Sequence, residues 1–396
     1  MSRVRSSRTA AAASSVVAAL AAVVMIAPAA MASPSAVPAG TAKVDCVAVD
    51  PATGACQVVG VVYALTQVGG TTYIGGSFAS VSGTPRSNVA AVRADGSLDP
   101  SWNPSTNGVV YALAASADGS KIFLGGGFTT VGGQARSRLA AVTPDTGQLV
   151  AGWTTTVSNN LVRALTADGG DRLYVGGTFG RIGGHAIPRA AAVSQTSGAV
   201  DTAFAPRPTG GVRALALSDD ATTLYAGGSF TSIGTQARPG AAELNAATGA
   251  VTDFAPSDGG VVISMDVSPN GRLFFGTTSN RTWAYDPKDG GVPLYRVRTG
   301  GDVQAILATS DEVYIGGHFN TIPEAKLNRV ALASFDPADG VATGWNPGAP
   351  GAFGVWALAL TNTALSPNAA PALSIGGDFT RVAGLARRGY TRFDFA

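Results

Sequence analysis

The sequence predicts an all-β protein, a seven-bladed β-propeller of four-stranded blades. A Gly-Gly-x-Phe tetrapeptide recurs, and the phenylalanines of its first four copies are 50, 51 and 51 residues apart. A fixed period of this length is typical of propellers and similar repeat arrays. A second motif, Val-x-Ala-Leu or a close variant, occurs seven times. The units show no helical hydrophobic period, which argues against a solenoid of strands and helices.

The Gly-Gly-x-Phe motif is expected to end the second strand of each blade. Glycine at such a place marks a bulge, a bend or a close approach of two backbones. The phenylalanine would then fill the gap between neighbouring blades. The six copies begin at Gly75, Gly125, Gly176, Gly227, Gly316 and Gly376.

The Val-x-Ala-Leu motif predicts the innermost strand, because its small residues suit strands that crowd around an axis. A hairpin turn such as Asp118-Gly119 follows it. The second and third strands come next, and a fourth strand ends in an aromatic residue that is often followed by x-Pro. Four antiparallel strands repeated radially make a β-propeller. The motif copies begin at Val62, Val110, Val162, Val212, Val262, Val303 and Val355.

The fifth unit, at about residues 260–300, departs from the pattern. Gly-Gly-x-Phe is degenerate there, and the chain passes directly from Thr278 to the segment around Trp283. We expect a blade that lacks the long connection between its second and third strands, which leaves a notch on one face.

The two ends of the chain are predicted to meet in one blade. The seventh unit stops near Phe393 without an outer strand, and residues 49–54 match residues 335–340 of the sixth unit in pattern. We expect residues 44–59 to supply the missing strand, so that the N-terminal strand joins the last blade and closes the ring. Closure would remove an exposed sheet edge.

The N-terminal residues 1–32 have the pattern of a signal peptide. Arg3, Arg5 and Arg8 precede an apolar stretch, and an Ala-x-Ala box ends at Ala32. A retained anchor is the alternative. We expect cleavage near Ala32, a secreted extracellular product, a flexible segment at residues 33–43 and one propeller domain at residues 44–396.

Cys46 and Cys56 are the two cysteines of the chain. A close pair in a secreted protein predicts a disulfide, and the turn between them would place two strands side by side. Two free thiols are the alternative. A metal site is not expected here, because no histidine lies nearby in sequence.

The charge of the chain is low and nearly balanced, with 27 basic and 25 acidic residues. A nucleic-acid binder has a basic footprint that this sequence lacks. No second apolar run is long enough to cross a bilayer. We therefore expect no nucleic-acid partner, no membrane contact after cleavage, and a monomer.

The units resemble the delta-60 repeats of secreted bacterial β-propellers, a domain family of unknown function. The resemblance rests on Gly-Gly-x-Phe, on the Asp-Gly-x-x-Tyr/Phe turn and strand, and on the pattern of residues 198–204. It covers nearly all of residues 44–396. These motifs are structural, so the resemblance implies the fold and hardly bears on activity.

Catalytic and metal-binding patterns are scarce in this sequence. The two histidines, His185 and His318, lie in glycine-rich connections. His318 and Asp378 share a column of adjacent units, but too few ligands converge for a metal. No nucleophile elbow and no phosphate loop are present. We expect no catalytic residues, no metal and no cofactor.

The second position of Val-x-Ala-Leu varies between units, whereas its flanking positions hardly change. Aromatic, cationic and amide side chains there would suit a sugar or an anionic group at one mouth of the axial channel. Packing between blades is the alternative. Six residues of this column are candidate ligand-binding residues: Tyr63, Tyr111, Arg163, Arg213, Gln304 and Trp356.

The sequence is best interpreted as a secreted, rigid binding module without catalysis. Its expected ligand is extracellular: a polysaccharide, a cell-wall component or a protein. An extracellular hydrolase or lyase with its site at the channel mouth is one alternative, although clustered carboxylates are lacking. A purely structural surface protein is the other.

Overall fold

The computed structural model describes residues 34, 48–49, 56–58, 60–256, 260–361, 365 and 371–395. The region Ala32–Ala396 is one compact unit. Within the described residues the helical element is a single 3₁₀ turn, Pro287–Asp289, and none of them forms an apolar helix that could span a membrane. The predicted signal peptide lies outside the described part.

The described residues form seven antiparallel sheets of three or four strands, numbered here in chain order. In each of them the chain runs from the inner strand to a second and then a third strand. The strands are Val61–Val68, Thr71–Ser77 and Val89–Val92 in sheet 1; Val110–Ala115, Ile122–Gly126 and Leu139–Val142 in sheet 2; Val162–Ala167, Arg172–Gly177 and Ala190–Ser194 in sheet 3; Val212–Leu217, Thr223–Gly228 and Ala241–Asn245 in sheet 4; Val262–Val267, Leu273–Thr277 and Arg281–Tyr285 in sheet 5; Asp302–Ala308, Val313–His318 and Leu332–Phe335 in sheet 6; and Val355–Leu360, Ala372–Gly377 and Tyr390–Asp394 in sheet 7.

The fourth strand of the expected four-stranded blade has full length in sheet 5, where it is Pro293–Arg298. In five other sheets it is reduced to a single bridge, and in sheets 1 and 3 a side-chain turn of an aspartate follows the bridge directly. Asp99, for example, accepts a hydrogen bond from the Ser101 backbone N–H at 2.9 Å. The bridges are Val92–Leu98, Val142–Leu149, Val193–Val200, Leu244–Val251 and Phe335–Ala342.

A small two-stranded element accompanies six sheets. In five of them it lies in the connection between the second and third strands, whereas in sheet 3 the connection strand Arg181–Ile182 pairs with Val157–Ser158, which precedes the inner strand. Sheet 5 has no such element among the described residues, and Thr277 leads through a tight turn into Arg281. The small pairs are Ser80–Val81 with Thr84–Pro85, Thr130–Val131 with Gln134–Ala135, Val157–Ser158 with Arg181–Ile182, Ser232–Ile233 with Gln236–Ala237, Thr321–Ile322 with Leu327–Asn328, and Arg381–Val382 with Leu385–Ala386.

The hydrophobic core lies between neighbouring sheets. Phe128 of sheet 2 is fully buried in one cluster with Tyr73 and Trp102 of sheet 1. The Tyr73 and Trp102 rings lie 5.0 Å apart, and the Trp102 indole N–H donates to the Thr143 carbonyl at 3.0 Å. Buried aromatic side chains of this size supply much of the stabilisation of a core.

The first glycine of each Gly-Gly pair permits close contact with the next sheet. A Cβ atom at Gly75 would lie 2.7 Å from Val110 Cγ1 of sheet 2, and one at Gly376 would lie 2.6 Å from Val62 Cγ1 of sheet 1. Sheet 7 therefore packs against sheet 1. The Gln67 amide also donates to Ser374 Oγ across the same contact, at 3.1 Å.

The described part of the N-terminal segment forms its own pair. The strand Ala48–Val49 runs antiparallel to Cys56–Val58, and Pro34 bridges to Phe395 beside the last strand. The rest of residues 44–59, including Cys46, lies outside the described residues. The closing outer strand and the Cys46–Cys56 disulfide therefore stay predictions.

Candidate binding site

A β-bulge occurs at the same place in the inner strand of all seven sheets. In sheet 1, Val62 pairs with Gly76 and Ala64 pairs with Gly75, so that Tyr63 is an extra residue with no partner in the ladder. A bulge of this kind re-aims one side chain. The extra residues are Tyr63, Tyr111, Arg163, Arg213, Ile263, Gln304 and Trp356.

The second glycine of Gly-Gly-x-Phe accommodates this bulge. A Cβ atom at Gly76 would lie 2.0 Å from the Val61 carbonyl oxygen, and one at Gly126 would lie 2.1 Å from the Val109 oxygen. No side chain fits at that distance. The glycine pair thus serves both the contact between sheets and the bulge that displays the variable residue.

The seven bulge residues line one cavity of about 370 Å³, together with Thr278 and Asp302. All six candidate residues therefore lie together in the structure, whereas their binding role stays a prediction. Sequence reasoning missed Thr278 and Asp302, which lie outside the Val-x-Ala-Leu motif. Asp302 directly precedes Val303, the first residue of a Val-x-Ala-Leu copy. A comparison of the units that included the residue before the motif would have found it.

Aromatic rings form one side of the cavity. The Tyr63 ring centre lies 5.3 Å from that of Tyr111 and 5.2 Å from that of Trp356, the latter in an edge-to-face arrangement. Each of these side chains is half-buried. The three rings come from sheets 2, 1 and 7 and make a continuous aromatic wall, on which a flat apolar face can stack.

Arginines continue the wall on the side of sheets 3 and 4. The Arg163 guanidinium carbon lies 3.9 Å from the centre of the Tyr111 ring, a cation–π contact that fixes the position of the charge. Arg213 is exposed, and no residue in the described ranges hydrogen-bonds its side chain. Both guanidinium groups can bind a carboxylate or hydroxyl group of a ligand.

Two polar atoms of the lining residues are buried without a hydrogen bond to any described residue. They are Gln304 Oε1 and Trp356 Nε1. A buried polar group without a partner costs about 1–3 kcal/mol. This cost is removed when water or a ligand donates a hydrogen bond to Gln304 Oε1 or accepts one from Trp356 Nε1.

The Tyr63 hydroxyl stays protonated over the physiological pH range. Burial raises its pKa most, and the nearby Tyr111 and Asp378 add to this, while Arg163 opposes it. Tyr63 can therefore donate a hydrogen bond at the cavity. Asp378 is itself buried, and its carboxylate accepts the backbone N–H groups of Phe353 at 2.8 Å and Gly354 at 2.6 Å.

The histidines do not lie among the cavity-lining residues. His318 is exposed with its ring centre 6.5 Å from that of Phe353, and His185 is exposed at the rim of sheet 3. No three His, Cys, Asp or Glu side chains of the described residues are grouped as a metal site needs. The cavity lining combines stacking surfaces, hydrogen-bonding groups and positive charge, with Asp302 as its carboxylate.

Comparison with known proteins bears on the family and the fold. Residues 70–101 match the family model described as a domain of unknown function (DUF5122) beta-propeller. No curated protein matches the chain. A chain of the solved structure titled "Crystal Structure of Mitotic Checkpoint Complex" is similar with 14% identity and a TM-score of 0.61, over 99% of this chain and 98% of that chain. At that identity the likeness shows the fold alone. The resemblance to β-propeller repeats of unknown function is confirmed by the match at residues 70–101, and the protein has the β-propeller fold.

Proposed function

We propose that this protein is a secreted binding module that holds an extracellular saccharide in the axial cavity and does not transform it. One observation carries the proposal: the one variable position of the inner-strand motif lines a single cavity from all seven sheets. The flanking residues of the inner-strand motif repeat while this column varies, so the motif places its chemical diversity at one cavity.

The composition of the lining favours a saccharide. Sugar rings stack on aromatic faces such as Tyr63 and Trp356, and their hydroxyl or carboxylate groups bind to guanidinium and amide groups. The cavity volume of about 370 Å³ lies within the range of small-ligand sites. One or two sugar units of a longer chain would occupy it.

The absence of turnover is part of the proposal. Hydrolysis of a glycoside ordinarily needs a pair of carboxyl groups that flank the bond, whereas Asp302 is the carboxylate of this lining. Secretion, cleavage near Ala32 and a monomeric state belong to the same proposal and rest on the sequence pattern.

A glycan array with the secreted mature protein, followed by product analysis of every saccharide that binds, tests this function. We expect specific binding of a small set of related saccharides, unchanged after treatment with a chelator and without released products. Turnover of a bound glycan would favour the hydrolase or lyase. A protein that binds no glycan would contradict the proposal and favour a structural role.

A further inference from the structure

The outer half of sheet 5 carries a cationic surface that is separate from the cavity lining. Arg281 and Trp283 lie on the third strand, and Arg296 and Arg298 lie on the outer strand Pro293–Arg298. Arg281 pairs directly with Arg298, and Trp283 pairs with Arg296. Directly opposed residues of an antiparallel pair share one face of the sheet, so the four side chains form a single group, here called the arginine face.

The architecture of sheet 5 leaves this face accessible. The third strands of sheets 1 and 2, Val89–Val92 and Leu139–Val142, are buried throughout. In sheet 5 the small two-stranded element is missing among the described residues, and the outer strand is long. Arg296 and Arg298 are accordingly exposed, while Arg281 and Trp283 are half-buried.

The arginine face brings like charges together. Like charges directly opposite each other in a sheet are destabilising, yet Arg281 faces Arg298. Within the described ranges, no Asp or Glu forms an ion pair with any of the three arginines. The Arg296 guanidinium carbon lies 5.9 Å from the centre of the Trp283 ring, which places a cation beside an aromatic surface.

We propose that the arginine face binds a carboxylated polysaccharide. The planar guanidinium fork matches a carboxylate in a bidentate arrangement, and three such forks on adjacent strands suit several carboxylates of one chain. Trp283 adds a ring for contact with a sugar. Bound carboxylates would also relieve the repulsion between Arg281 and Arg298.

Two other roles fit these residues less well. Arginines on an edge strand can also prevent its pairing with strands of other sheets. That role does not explain Arg281, because Arg281 lies on the third strand and not on the edge strand. Addition of an acidic peptide as a further strand is disfavoured, because Pro293 lacks a donor and the register is irregular between Ala284 and Tyr285.

The test measures binding of polygalacturonate, with neutral dextran as the reference polymer, in a Tyr111→Ala/Arg163→Ala background that disables the proposed cavity site. The variant Arg281→Gln/Arg296→Gln/Arg298→Gln is compared with the control variant Arg181→Gln/Arg207→Gln/Arg381→Gln. The control removes the same amount of charge at three exposed positions away from sheet 5. Thermal unfolding of both variants checks that each is folded.

The background protein is expected to bind polygalacturonate and not dextran, with an affinity that falls as salt rises. The arginine-face variant should lose affinity about tenfold or more, and Arg281→Gln alone about threefold, while the control variant stays close to the background. Equal losses in the two triple variants, no effect of Arg281→Gln, or no binding of polygalacturonate would overturn the proposal. Because the cavity is disabled throughout, none of these outcomes depends on the proposed saccharide site.

Discussion

The Arg163 guanidinium group stacks on the Tyr111 ring, with 3.9 Å between its carbon and the ring centre. This contact joins the bulge residues of sheets 2 and 3 and unites the aromatic and cationic parts of the cavity wall. Neither residue is needed for the core, because both are half-buried at the cavity. The pair can therefore be altered with small effects on stability.

Replacement of Arg163 by alanine is expected to lower the free energy of unfolding by about 0.5–1 kcal/mol, the typical value of an accessible cation–π contact. Arg163→Lys keeps the charge and loses the planar fork, so it should retain most of this stability. Urea titration of the two variants measures the difference. A loss of several kcal/mol in Arg163→Ala would show that the residue supports the fold rather than the cavity.

The contact between sheets 7 and 1 can be tested at Gly376. A Cβ atom there would lie 2.6 Å from Val62 Cγ1, so we expect Gly376→Ala to destabilise the protein by about 1–3 kcal/mol through overpacking. Gly169→Ala is the matched control, because a Cβ atom at Gly169 meets nothing within 4 Å.

A double variant makes the same test specific. Val62→Ala removes the methyl group that Gly376→Ala would strike, so the double variant should be more stable than the sum of the two single effects predicts. Additive effects in chemical unfolding would contradict direct packing of these two sheets.

The inner strand of sheet 5 carries a carboxyl group with an unusual pKa. Burial raises the pKa of Asp266 to about 7, although its carboxylate accepts the backbone N–H groups of Val267 at 2.9 Å and Ala308 at 2.8 Å. Because the folded-state pKa lies above the unfolded one, the contribution to stability is complete below the unfolded pKa. It is lost as the pH rises to about 7.

Asp266→Asn should therefore gain stability relative to the unmodified protein as the pH rises from about 4 to 7, and melting temperatures across this range measure the gain. Asp118 is the control of opposite sign, because hydrogen bonds from Ser116 and Ser120 lower its pKa. Asp118→Asn should lose stability at neutral pH. A pH-independent difference for Asp266→Asn would contradict a raised pKa.

The buried Gln304 oxygen is expected to lower the stability of the free protein and to strengthen ligand binding. Since Gln304 Oε1 has no partner among the described residues, Gln304→Leu should leave the free energy of unfolding unchanged or raise it by up to about 1 kcal/mol. The same change should weaken binding of the saccharide found on the array. Calorimetric unfolding and titration measure the two quantities, and unchanged affinity would remove Gln304 from the site.

The inner strands and the six candidate residues could be predicted because the repeat supplies seven internal comparisons. Tyr63 and Arg163 stand out only against the constant Val, Ala and Leu around them. The bulge at these residues depends on how the inner strand pairs with the second strand. The Val-x-Ala-Leu motif alone does not specify that pairing. Asp302 was missed because its position precedes the Val-x-Ala-Leu motif, and Thr278 because it lies at the x position of the degenerate Gly-Gly-x-Phe motif.

The outer strands were harder to predict, because side-chain turns compete with strand pairing after the third strands of sheets 1 and 3. Asp99 and Asp201 bind the backbone two residues ahead and divert the chain. Sheet 5, whose Gly-Gly-x-Phe motif is degenerate, has the full-length outer strand, since Pro293–Arg298 contains no such turn residue.

The most direct test of the central claim is isothermal titration of the mature protein and its Tyr111→Ala/Arg163→Ala variant with the array-selected saccharide. We predict that the double variant loses affinity about tenfold or more, because a stacking ring and a charged hydrogen-bond donor are both removed, while it remains folded by circular dichroism. Equal affinities of the two proteins would contradict a binding site in the axial cavity.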